Sequence, residues 1–319
     1  MDYVYAGLGL VILLLAGDSL VKGAVNLALR LGVPALIVSL TIVALGTSSP
    51  ELLISVQAVL DGVPDIAMGN VVGSNTANIL LVLGLPAIVA VMHTGDIDTR
   101  DSYLHMIGAT VLFIGLAALG AFTWISGLIL LGALAVMLAH SARLVRRHKA
   151  LAAPDARDDD EEDPEGADPD MPGWKLAMYM VLGLIGLPLG ASLLVDSSVS
   201  IARDLGISEA AIGLTLVAVG TSLPELATTF MAALRRQADV ALGNVIGSNM
   251  FNLLGIIGVA SLFGNIPVDP QFLRLDLWVM LGASALLVPF VYFGRDITKG
   301  WGIGLTAAYI AYISVIVGG

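Results

Sequence analysis

Ten apolar runs follow one another along this 319-residue chain, near residues 3–30, 34–60, 64–91, 101–120, 124–146, 174–203, 208–234, 238–263, 272–294 and 300–318. About 20 apolar residues suffice for a helix to cross the hydrocarbon core of a bilayer. With 57% of residues hydrophobic and only 13% charged, against ~45–50% apolar and ~25% charged in an ordinary soluble domain, almost nothing is left for a separate water-soluble domain. The sequence therefore predicts an all-α polytopic membrane protein with ten transmembrane helices and excludes a soluble enzyme.

The connections support this reading. Pro34 begins a helix, Pro64 follows Asp61-Gly62, and Asn265-Ile266-Pro267 separates two runs, which is turn chemistry at the expected places. The one large polar insertion follows the fifth run, and its segment from Pro154 to Pro172 holds ten carboxylates and one arginine. Such a composition cannot bury a core, so residues 147–173 are expected to be a solvated, disordered loop. Outside Pro154–Pro172 the chain carries 14 basic and 16 acidic residues, so the net charge of −11 describes one loop. Basic-patch binding of nucleic acid has no support. Cysteine is absent, which removes disulfides, thiolate metal sites and cysteine catalysis. No signal peptide is expected, because the first apolar run begins at Tyr3 without a basic leader.

Lysine and arginine give the orientation. Twelve of them fall after the first, third, fifth, seventh and ninth runs, against Arg203 and Arg274 on the other side, with Lys22 inside the first run. The odd-numbered loops, including the acidic one, are then cytoplasmic and both termini extracellular.

An internal repeat stands at a fixed offset of 174 residues: LGTSSPEL at 45–52 matches VGTSLPEL at 219–226, and GNVVGSNTANILL at 69–81 matches GNVIGSNMFNLLG at 243–255. The same register carries Leu31-Gly32-Val33 onto Leu205-Gly206-Ile207 and Asp65 onto Asp239. Each unit, 1–146 and 174–319, holds five runs, an odd number, so the second must enter the membrane from the opposite side. Inverted repeats are how secondary transporters build a site at the bilayer midplane.

Glu51 and Glu225 are the carboxylates well inside their runs, apart from Asp18 and Asp196, and an ionisable group at that depth costs ~2.5–3.5 kcal/mol on insertion scales. Asp18 is most simply offset by Lys22 at i+4. Each glutamate follows Gly-Thr-Ser-X-Pro, where the proline disturbs the carbonyl four residues earlier, that of Gly46 or Gly220, and a bend exposes the carbonyls of Ala44 and Ala218. Thr47 and Ser48 share a helix face with Glu51, and Ser74 shares one with Asn78, as Ser248 does with Asn252. All these donors are hard oxygens, suited to Ca²⁺ or Na⁺ and poor for Zn²⁺ or Cu²⁺. A single Thr-Ser-X-Pro kink is ordinarily a packing device, and so is a Gly-X3-Gly run such as Gly69 to Gly73. Packing does not account for the same glutamate-bearing kink and the same asparagine occurring twice. The four histidines at 93, 105, 140 and 148 sit at the ends of runs and receive no role.

At these residues the chain resembles the sodium/calcium exchanger family of the cation/calcium antiporter superfamily, whose two alpha repeats GTSSPEL with GNVVGSNTANILL and GTSLPEL with GNVIGSNMFNLL look like. The resemblance implies ten helices, four central cation sites, and a first and sixth span that slide across the remaining bundle. It implies as ligands Thr47, Ser48, Glu51, Ser74 and Asn78, with Thr221, Ser222, Glu225, Ser248 and Asn252, plus the carbonyls of Ala44 and Ala218. Some relatives carry aspartate at the position of Asn252; here both asparagine positions are neutral.

The reading is a secondary-active antiporter exchanging Ca²⁺ for Na⁺ by alternating access, with no cofactor. A proton-coupled exchanger of the same fold is the alternative. A channel would need a continuous pore and filter, for which one chain with an inverted repeat offers no symmetric ring. A hydrolase would need a nucleophile with a base, and the serines at 48, 74, 222 and 248 have no histidine or lysine nearby in sequence.

Overall fold

The computed structural model describes residues 1–95, 97–151, 167–206 and 218–318. It is a helical bundle in which six helices are long and apolar enough to cross a membrane, or seven if a bent pair counts as one span. The Asp2–Leu31 helix ends at Gly32, whose φ of 66° only glycine adopts without strain. This helix lies antiparallel to the Gly173–Asp204 helix, at backbone distances that only small residues permit. A Cβ on Gly9 would stand 2.7 Å from the Leu194 nitrogen, and one on Gly183 would stand 2.6 Å from Leu20 Cβ. Asp18 pairs with Lys22 at 3.0 Å, as its spacing suggests, and also with Arg235 from a turn 217 residues away.

The run expected as one helix over 34–60 is broken. Ala35–Val38, a π-helical turn over Ser39–Val43 and Ala44–Thr47 are followed, after Ser48, by Ser49–Leu60. The two parts are bent by 44°. The break falls at Ser48 (φ −85°, ψ 5°), not at Pro50, because the proline occupies the first turn of the new helix, where an amide would have had no intrahelical partner. The repeat does the same: Ser222 (φ −89°, ψ 6°) separates Ala218–Gly220 from Leu223–Leu234, with Pro224 again in the first turn. Residues 208–217, the expected beginning of that seventh span, lie outside the described residues.

Two spans form the centre. Pro64–Val89 and Ala238–Phe263 are 78% and 83% buried in the bundle, against 22–44% for the other long helices. Each contains a π-helical turn, at Asn78–Val82 and Phe251–Ile256. Arg100–Ala117, Phe272–Tyr292 and Lys299–Gly318 lie close to their expected bounds. Trp124 begins a helix that continues to Leu151, five residues past the expected end. Most of the acidic run falls in 152–166, outside the described residues, but at its far end the Asp168 amide donates to Asn26 Oδ1 at 2.8 Å.

Short pairings close the connections. The strand β1 (Ala121–Phe122) pairs antiparallel with β2 (Ile266–Pro267). Met92 bridges Ile297, with the His93 ring 2.8 Å from Asp296 beside it.

Candidate cation site

Both broken helices present a glutamate in the first turn of their second part, where unpaired backbone amides favour negative charge. Glu51 and Glu225 are each 1% exposed, and Glu51 is near enough to feel the charge of Glu225. The Ser48 hydroxyl donates to Glu225 Oε1 at 3.1 Å, joining the first kink to the second glutamate. Thr47 Oγ1 lies 3.2 Å from the Ala44 carbonyl, 3.2 Å from Asn244 Oδ1 and 3.3 Å from Ser248 Oγ. Thr47, Ser48 and Ser248 thus gather around the Glu225 carboxylate.

On the other side of the cluster the oxygens are left over. Among the described residues, both carboxylate oxygens of Glu51, Oε2 of Glu225, Oγ of Ser222, Oδ1 of Asn78 and Oδ1 of Asn252 are buried without a hydrogen-bond partner. Buried polar groups in folded proteins are nearly always satisfied, and an unpaired buried carboxylate costs several kcal/mol as an anion. Two carboxylates among neutral hydroxyl, amide and carbonyl oxygens form a coordination set for a hard cation.

The remaining expected residues are placed as follows. Ser74 and Thr221 line one cavity of about 480 Å³, together with Asp65, Gly69 and Gly73. Asp65 and Ser74 are nine residues apart on one helix, so the cavity runs roughly 14 Å along it. Gly69 and Gly73 were expected to pack against a helix. Instead, among the described residues a Cβ on either meets nothing within 4 Å. The Ala44 carbonyl is not bare, since it accepts the Ser48 amide at 3.0 Å as well as the Thr47 hydroxyl. The Ser222 amide donates to the Val219 carbonyl, at 3.1 Å.

Four asparagines that the sequence reading passed over hold the cluster in place. Asn70 Nδ2 donates to the Glu51 carbonyl (3.3 Å) and to Ser55 Oγ (3.0 Å). Its counterpart Asn244 donates to the Glu225 carbonyl (3.4 Å) and to Thr229 Oγ1 (3.3 Å). Asn78 donates to Asn249 Oδ1 at 3.0 Å, and Asn249 to the Asn75 carbonyl at 3.3 Å, where the two central spans cross. The signal was available, since all four occur inside the repeated GNVxGSN motif.

Comparison with known proteins gives the family. The family profile described as sodium/calcium exchanger protein matches residues 1–143 and 175–318. A putative antiporter, CaxA of Alkalimonas amylolytica, is 36% identical over 312 residues, covering 97% of this chain and 96% of that one. The sodium/calcium exchanger MaX1 of Methanosarcina acetivorans is 33% identical over 99% of this chain and 98% of its own length. Among solved structures, the sodium-calcium exchanger NCX_Mj, soaked with Na⁺ and Ca²⁺, superposes with a TM-score of 0.81 at 33% identity over 98% of this chain and 97% of that one. With the profile covering both halves and the relatives nearly the whole length, the chain belongs to the sodium/calcium exchanger family of membrane antiporters.

Proposed function

We propose that this protein exchanges Ca²⁺ for Na⁺ across a prokaryotic plasma membrane by alternating access around Glu51 and Glu225. The observation that carries the reading is the buried, unpartnered carboxylate of Glu51 beside Glu225. Two carboxylates neutralise one Ca²⁺ or two Na⁺, so mutually exclusive occupancy produces exchange without a gate that senses both ions. The ligands are the side chains of Thr47, Ser48, Glu51, Ser74, Asn78, Thr221, Ser222, Glu225, Ser248 and Asn252, with the carbonyls of Ala44 and Ala218.

Ten helices in two inverted units, 1–146 and 174–319, frame this site, with the acidic segment 147–173 in the cytoplasm and both termini outside. The paired asparagine bonds support this arrangement, because Asn70, Glu51 and Ser55 relate to Asn244, Glu225 and Thr229 by the single offset of 174. The short pairings support it too: Met92 with Ile297 and Phe122 with Ile266 coincide under that offset to within one residue. On this topology the cavity reaching Ser74 and Thr221 opens outward, while the Met92–Ile297 bridge closes the cytoplasmic side.

The neutral oxygens favour Na⁺ over H⁺ as counter-ion, since a proton needs one carboxylate oxygen whereas Na⁺ needs its water shell replaced. The test is ⁴⁵Ca uptake into proteoliposomes loaded with Na⁺, with K⁺, or with a pH gradient alone. Uptake driven by Na⁺ at constant pH, without substitution by K⁺ and with inhibition on acidification, is expected. Equal uptake driven by the pH gradient alone would make it a proton-coupled exchanger.

A further inference from the structure

Away from the oxygen-lined site, two imidazoles meet that the transport reading does not use. His105 on the Arg100–Ala117 helix and His140 on the Trp124–Leu151 helix face each other, with ring centroids 4.9 Å apart and planes inclined by 54°. They line a small cavity of about 30 Å³ together with Ser102 and Ser141, room for one water-sized occupant. Among the described residues His140 Nε2 is buried without a hydrogen-bond partner, although a ring nitrogen inside a protein ordinarily has one.

The spacing fits a shared ion. With metal–nitrogen bonds of about 2.0–2.1 Å and a tetrahedral angle, two imidazoles on one ion hold their centroids roughly 5 Å apart. Imidazole nitrogen suits Zn²⁺, Cu²⁺ and Co²⁺, whereas Ca²⁺ and Na⁺ prefer the hard oxygens around Glu51. We propose that His105 and His140 form a two-imidazole site for a divalent transition-metal ion, chemically distinct from the transport site. Among the described residues no group of three His, Cys, Asp or Glu side chains is arranged to hold a metal. An ion here therefore completes its shell with water or the serine hydroxyls and binds reversibly.

A consequence for transport follows, and it rests on the exchange reading. The cavity is also bounded by Leu40 and Thr41 of the span that leads to Glu51, so an ion joining the two histidine-bearing helices restrains that span and inhibits exchange.

Binding and inhibition are tested separately on the full chain. Cu²⁺ added to the purified protein in detergent is expected to show electron paramagnetic resonance splitting from two nitrogens, reduced in His105→Gln and in His140→Gln and unchanged in His93→Gln. A two-nitrogen pattern that survives both of the first two substitutions, or that is lost with His93→Gln, overturns the site. In proteoliposomes, Zn²⁺ should inhibit ⁴⁵Ca exchange, and His105→Gln or His140→Gln should raise the concentration needed at least ~10-fold without changing basal flux. Unchanged Zn²⁺ inhibition in variants that have lost the copper signal keeps the site and overturns its effect on transport. A protein with no exchange at all removes the transport reading while the copper spectrum still decides the site.

Discussion

The two central spans carry nearly the same words, GNVVGSN and GNVIGSN, yet they stand in different surroundings. Along the second, a Cβ on Gly243 would lie 2.8 Å from the Leu36 carbonyl, and one on Gly247 would lie 2.5 Å from that of Leu40, so these glycines let two helices touch. Along the first, Gly69 and Gly73 border the 480 Å³ cavity. The glutamates divide in the same way. Glu225 is met by Ser48, whereas among the described residues the counterpart Ser222 hydroxyl and both oxygens of Glu51 have no partner. A repeated sequence fixes which groups are offered to the site, and packing decides which of them are already engaged. In this structure the second copy is closed by packing and the first is open to the cavity.

The comparison breaks first at the glutamates. Glu51→Gln and Glu225→Gln should each remove about 3–5 kcal/mol of ion binding, a loss of at least ~100-fold in Ca²⁺ affinity, read as abolished ⁴⁵Ca exchange at matched protein density. If the engaged Glu225 tolerated the change while Glu51 did not, the two would not share one ion.

The glycines sharpen it. Gly247→Ala should destabilise by about 1–3 kcal/mol, because a backbone carbonyl and Ala44 Cβ at 2.6 Å have to move. Gly73→Ala should be neutral or slightly stabilising, since alanine is the better helix former by ~1 kcal/mol. Thermal unfolding in detergent measures both, and equal destabilisation would deny the difference in packing.

The serines give a smaller contrast. In ion-free buffer, Ser48→Ala strips Glu225 of a donor and should cost about 1–2 kcal/mol, while Ser222→Ala, which removes a buried hydroxyl with no partner among the described residues, should be neutral or stabilising. Denaturation with chelator present, against the same pair at saturating Ca²⁺, separates them. A larger loss at Ser222 would reverse the assignment of the open and closed copies.

The smallest effect lies at the closed connection. The hydrogen bond from His93 holds the Asp296 carboxyl below the usual carboxylate range, assisted by the Thr94 amide at 3.0 Å. A lowered carboxylate contributes stability that is complete above its unfolded value near pH 4 and is lost as the pH falls through the folded value. Because the pair is largely exposed, Asp296→Asn should cost no more than ~0.5 kcal/mol at pH 7. That difference should vanish at acid pH, and melting curves of both proteins across pH would show whether it does.

The sequence made the glutamates, the hydroxyls and the repeat legible because they recur in one register. It could not reveal long-range partners. Asp18 next to Lys22 reads as a complete ion pair, and only the fold brings in Arg235. His105 and His140 are scattered along the chain until two helices pack side by side. The bend was expected beside Gly46, where proline would disturb a carbonyl, whereas it falls at Ser48 because the proline starts the next helix.

The wide turns in the central spans have a consequence of phase. A π-helical turn holds more residues than the α-helix on either side, and one added residue rotates everything beyond it by about 100°. Where the turn begins, Asn78 aims at Asn249. Downstream, Gly84 abuts Thr306, where a Cβ would come within 2.8 Å of the hydroxyl, and in the other span Gly258 abuts Leu131 at 2.9 Å. Each span is therefore two helical faces spliced out of step, one keyed to the crossing and one to an outer helix. Deleting a single residue at the splice would leave the length nearly unchanged and turn one of the two keys away from its lock.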